Sequence, residues 1–134
     1  MDISQINIFA ILIATISSFF LGGLWYSKLL FGKIWMQEAG LSEETVQKAN
    51  MLKTFSLAIL ANLVITFNLA MFLGPDSTLV TGVFYGFLAG FGWVAMAFAI
   101  NDAFEQRSFK LFAINAGYQT LSFSISGGII GAWH

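Results

Sequence analysis

Four long apolar runs, parted by short polar breaks, occupy almost the whole chain. They cover residues 5–25, 54–73, 79–100 and 111–133, and none contains Asp, Glu, Lys or Arg. About 20 helical residues cross a hydrocarbon core of roughly 30 Å, so each run is long enough to span a bilayer. A backbone in lipid must satisfy its hydrogen bonds internally, which leaves helices as the economical solution for runs of this length. The expected fold is therefore all-α: a polytopic membrane protein with four transmembrane helices in one compact bundle over 1–134. Segments 26–53 and 101–110 fall between runs, and the first is expected to hold an amphipathic stretch.

Composition narrows the function classes. The chain is 57% hydrophobic and 10% charged, far from the roughly 25% charged residues of a soluble domain. A net charge of −1 offers no basic surface for nucleic acid. There is no cysteine, which removes disulfides, thiol chemistry and Cys-based metal sites. The first run lacks a basic leader, with only Asp2 before it, and is expected to remain as a membrane helix rather than a cleaved signal.

Basic residues are placed unevenly. Lys28, Lys33, Lys48 and Lys53 lie between runs one and two, and Arg107 and Lys110 between runs three and four. The remaining connections carry none. The positive-inside rule then puts both basic segments in the cytoplasm and both termini outside. Trp25, Tyr26, Phe31 and Trp35 surround Lys28 and Lys33. Amphipathic rings and snorkelling lysines are the chemistry of a membrane interface, so 25–36 is expected to lie along the inner leaflet. Ser42 caps a following helix over about 42–52, with Glu43 and Glu44 in its first turn and Lys48 later. This helix is expected to lead straight into the second span.

Each run carries small residues at spacing four: Ala10, Ala14, Ser18 and Gly22; Ala58, Asn62, Thr66 and Ala70; Gly82, Gly86 and Gly90; Ala116, Thr120, Ser124, Gly128 and Ala132. Residues four apart share a helix face, and small residues there let membrane helices approach closely. The Gly82, Gly86, Gly90 face can pack within the bundle or against a second copy, and a two-fold homodimer is the expected assembly.

Polar groups at membrane depth are the remaining candidates for chemistry. Asn62, Thr66, Asn115, Tyr118 and Gln119 form a possible polar track for a solute or ion; the simpler reading is hydrogen bonding between helices. Asn101, Asp102, Glu105, Arg107 and Lys110 form the densest polar cluster, either a headgroup site or a solvated loop with weak ion pairs. His134, the single histidine, has no constellation around it. There is no catalytic motif, no metal-ligand spacing and no paired carboxylates, so no catalytic residue, metal or cofactor is expected. No run holds an ionisable group of the kind a proton-coupled transporter uses.

Two stretches carry a family resemblance. GGLWYSKLLFGKIWMQEAGL (22–41) holds a G-x-W-Y-S box followed by L-F-G-K-x-W, and AFEQRSFKLFAINAGYQTLSFSISGGIIGAW (103–133) holds F-E-x-R-x-x-K leading into L-F-x-I-N-A-G-Y. The chain resembles domain of unknown function family 1761, small four-span membrane proteins, mainly bacterial. The matching residues are Gly23, Trp25, Tyr26, Ser27, Leu30, Phe31, Gly32, Lys33 and Trp35, then Phe104, Glu105, Lys110, Asn115, Ala116, Gly117 and Tyr118. Lys28 replaces an expected proline and Gln106 an expected glycine, which implies a somewhat different loop backbone. The resemblance implies architecture and membrane location without an activity. Two functional expectations follow from the residues. The first is a membrane protein binding lipid, or an unidentified membrane partner, through Trp25, Tyr26, Lys28, Phe31, Lys33 and Trp35. The alternative is an oligomeric channel or facilitator using the Asn/Thr/Gln groups.

Overall fold

The computed structural model describes residues 2–133, so His134 lies outside the described residues. These residues form helices and no strands. After a short 3₁₀ turn come α1 (Ile8–Trp25), α2 (Gly32–Ala39), α3 (Glu43–Lys48), α4 (Met51–Leu73) and α5 (Leu79–Ala89). A π-helical segment, Gly90–Ala95, joins α5 to α6 (Met96–Phe104), and α7 (Phe109–Ala132) closes the bundle. Among the described residues, three helices are long and apolar enough to cross a membrane: α1, α4 and the continuous Leu79–Phe104. The chain thus has the build of an all-α membrane protein.

Helix starts follow from local chemistry. Asn7, Ser42, Asn50, Thr78 and Ser108 each accept a hydrogen bond from a first-turn backbone N–H, satisfying donors that the helix itself leaves free. Asn50 also explains a departure from expectation. The helix begun at Ser42 ends at Lys48, the chain extends at Ala49, and Asn50 caps a separate helix, α4. A second capping residue eight positions after the first interrupts what the pattern made continuous.

The centre of the bundle is α7. It packs against α1, α4, α5, α6, the π segment and α2. This enclosure accounts for its polar composition: α7 is as long as the apolar helices but carries amides and hydroxyls that neighbouring helices absorb. At the end of the bundle remote from the lysines, Ile11, Ala14, Leu69, Ala70 and Ile130 form the apolar core, with Ile6, Leu63, Leu73 and Ile129 around it. The expected ladders of α1 and the third run are seen in this packing. Ala10, Ala14 and Ser18 are buried, as are Gly82, Gly86 and Gly90.

The α5–α7 contact is a backbone contact. A Cβ at Gly82 would collide with the carbonyl oxygen of Gly127, one at Gly127 with the carbonyl of Gly82, one at Gly86 with that of Phe123, and one at Gly131 with that of Thr78. The Gly82, Gly86, Gly90 face is therefore taken up inside the bundle. The π segment follows directly, where a Cβ on Gly90 would lie 2.8 Å from that of Phe123.

The turn after α6 resolves the Gln106 departure. Gln106 has φ 61, its N–H bonds Ala103 O at 3.4 Å, and Arg107 N bonds Asp102 O at 2.9 Å. This is a Schellman ending, whose left-handed position glycine fills most easily. Gln106→Gly is expected to raise stability by about 1 kcal/mol, the cost of a left-handed residue with a Cβ. Thermal unfolding in one detergent, compared with the unaltered protein, checks this; a lower midpoint in the variant would count against it.

Candidate functional site: the aromatic foot and the hydroxyl seam

The two sequence boxes that carry the family resemblance meet in space. Trp25, the last residue of α1, donates its indole N–H to Ile114 O of α7 at 2.9 Å. Its ring lies over Gly117, where a Cβ would come within 3.1 Å of it, and against Phe31 with centroids 4.7 Å apart. Tyr26 donates its hydroxyl to Asn115 Oδ1 at 2.7 Å and packs edge-on to both Trp35 and Tyr118. Burial first, and then the neighbouring Tyr118, raise the Tyr26 phenol above its usual pKa, so it remains a neutral donor.

Gly32 permits this arrangement. The chain from Tyr26 to Phe31 folds back on itself, with Phe31 N bonded to Trp25 O at 3.1 Å and Gly32 N to Ser27 O at 2.8 Å. A Cβ at Gly32 would meet Tyr26 O at 2.5 Å. The result is a foot, α2 and its preceding turn, fastened to the first turns of α7. Its outer side shows Leu29, Leu30 and Ile34 to the surroundings, with Lys33 exposed among them. Lys28 pairs with Glu43 at the start of α3. That hydrogen bond and charge hold the Glu43 carboxyl below its ordinary pKa.

Above the foot, hydroxyls line the seam between α1 and α7. Tyr118 donates to Ser18 O at 2.8 Å, Ser122 donates to Ser18 Oγ at 2.8 Å, and the Ser18 and Ser126 hydroxyls pair at 3.0 Å. Further along, Thr15 and Thr66 pair at 2.8 Å between α1 and α4. Thr66 is fully buried. Asn62 donates to Ala58 O at 3.0 Å, within its own helix. Five groups expected in a polar track therefore have different roles in the packing. Asn115 and Tyr118 serve the foot and seam, Thr66 ties α4 to α1, Asn62 bonds its own helix, and Gln119 is half-buried with no side-chain hydrogen bond among the described residues. Ser18, Ser122 and Ser126 complete the seam; their spacing of four along α7 was the signal available for the last two.

The loop cluster is not a single constellation. Asn101, Glu105, Arg107 and Lys110 are exposed, with Arg107 3.6 Å from Glu105. Asp102 is instead buried near the end of α6, 8% exposed, with its Oδ2 unpaired among the described residues. Those residues hold no group of three His, Cys, Asp or Glu placed for a metal.

A family model described as a protein of unknown function, DUF1761, matches residues 9–131. No curated protein and no solved structure matches. The match takes in both boxes of the foot and nearly all of the bundle, and the chain belongs to the DUF1761 family.

Proposed function

We propose that this protein is a four-span membrane protein of a bacterial inner membrane, with both termini outside, whose aromatic foot binds anionic lipid headgroups at the cytoplasmic face. The observation that carries the reading is the fastening of Trp25 and Tyr26 to Ile114 and Asn115. It holds α2 rigidly at one end of the bundle while Leu29, Leu30, Ile34 and Lys33 remain outward. Apolar side chains beside a lysine at an interface suit an acyl boundary and a phosphate. The fourth span is α7. Tyr118, Ser122 and Ser126 turn into the seam, so its lower apolarity is consistent with crossing a membrane inside a bundle. The seam hydroxyls are bonded to one another and to backbone carbonyls, which favours helix packing over solute passage.

Native mass spectrometry of the protein extracted from membranes containing phosphatidylglycerol tests the reading. Lys33→Gln is expected to lower the retained phosphatidylglycerol about five-fold, since a basic residue near an anionic surface contributes about 1 kcal/mol. Lys28→Gln is expected to do less, because Lys28 is engaged with Glu43. Unchanged retention in the double variant would sink the lipid reading.

A further inference from the structure

Asn68 is an exposed amide in α4, five residues before its last residue, Leu73. Its Nδ2 donates to Val64 O at 2.8 Å, and its Oδ1 accepts no hydrogen bond among the described residues. At about 1.5 Å per residue, Asn68 lies about 8 Å below the helix end. A helix of 23 residues exceeds a hydrocarbon core of roughly 30 Å by only a few ångströms, so the amide lies in the apolar layer. A polar group there is costly unless a partner meets it.

The surroundings of Asn68 identify that partner. Ala61 lies seven residues before it and Thr54 seven before that, a heptad that keeps all three on one face, as in the seam of paired helices. The shallow groove along Asn50, Lys53, Thr54, Leu57, Ala58 and Ala61 lies on this side of α4. Only 17% of the apolar stretch of α4 is buried, against 28% for α1 and 22% for Leu79–Phe104. Because Gly82, Gly86 and Gly90 already pack on α7, they leave no glycine face for a second copy.

We propose that this face of α4 is a homodimer interface, in which two copies pair through Thr54, Ala61 and Asn68 and the two Asn68 amides bond each other. The inference rests on the four-span reading in one respect: both copies insert in the same direction, so their α4 helices run parallel. In a parallel heptad seam each central position meets its own counterpart. A carboxamide carries both donors and an acceptor and is complementary to itself, whereas an acyl chain offers it nothing. The small side chains of Ala61 and Thr54 allow the close backbone approach that membrane helix pairs use.

The cysteine-free chain makes a clean test by single-cysteine cross-linking in native membranes. Ala61→Cys is expected to give a covalent dimer on mild oxidation, and Leu60→Cys, about 100° around the helix, to remain monomeric. Asn68→Leu is expected to weaken dimerisation about ten-fold, measured by energy transfer during dilution in liposomes, while Asn68→Gln keeps most of it. Impermeant maleimide labelling of Asp76→Cys and Ala49→Cys from opposite sides reports orientation separately. Failed cross-linking in a correctly oriented protein overturns the dimer and leaves the four-span reading standing. Equal cross-linking at positions 60 and 61, or undiminished dimerisation of Asn68→Leu, also overturns it.

Discussion

Gly82→Ala is expected to destabilise the bundle by upwards of about 3 kcal/mol, the severe end of overpacking. The reason is what the added methyl meets. Its nearest neighbour is the carbonyl oxygen of Gly127, with the α-carbon of Gly131 3.2 Å away. A flexible side chain could swing aside, but a helix backbone yields only by moving the whole of α7. Since α7 packs against every other long helix, the shift spreads through the bundle. Gly127→Ala should behave the same way, because its methyl meets Gly82 in return. Gly23→Ala is the control. It lies in α1 with nothing within 4 Å of a new Cβ, and replacing glycine in a helix adds about 0.5–1 kcal/mol of stability. Thermal unfolding followed by helical circular dichroism in one detergent should thus move the two variants in opposite directions. Matching midpoints for Gly82→Ala and Gly23→Ala would mean that α5 and α7 do not touch through their backbones.

The same contact shows what the sequence made legible. Spacing four on the third run marks one face, and that face is the one buried, because a helix packed on one side needs only one set of small residues. In α7 the spacing is less informative, since it is enclosed from two sides. Tyr118, Ser122 and Ser126 serve α1, while Gly127 and Gly131 serve α5. Two faces of one helix are used, and the single ladder Ala116, Thr120, Ser124, Gly128 and Ala132 marks only the side towards α5, where Thr120, Ser124 and Gly128 lie against Gly90, Gly86 and Val83. The π segment Gly90–Ala95 had no local signature, because its apolar residues fit an α-helix equally well. Burial of Asp102 was also hidden, because a carboxylate just beyond an apolar run reads as solvated.

The foot was legible as an aromatic and basic segment, but its fastening was not. The pattern predicts Trp25 and Tyr26 as rings at headgroup depth, and it gives no sign that their polar atoms reach across to Ile114 and Asn115, 89 residues away along the chain. A pairing at that distance leaves no periodic trace. What the sequence did offer was the coincidence that both boxes of the resemblance contain its ends: Trp25 and Tyr26 in one, Asn115, Gly117 and Tyr118 in the other.

Trp25→Ala is accordingly expected to free the foot, at about 3–5 kcal/mol, the usual range for removing a packed tryptophan. Three contributions are lost together: the indole N–H to Ile114 O, the ring surface over Gly117 and the contact with Phe31. Trp25→Phe separates these parts, since it keeps most of the ring surface and removes only the hydrogen bond, for about 1 kcal/mol. Limited proteolysis of residues 26–50 should be fast in Trp25→Ala and near normal in Trp25→Phe. Lipid retention distinguishes the foot from its charge. Trp25→Ala should lose phosphatidylglycerol along with protease resistance, whereas Lys33→Gln should lose the lipid and keep the resistance, because Lys33 is exposed and makes no ion pair among the described residues. A Trp25→Ala protein as protease-resistant as its parent would show that α2 is held by something other than α7, and the fastened foot would have to be abandoned as the basis of lipid binding.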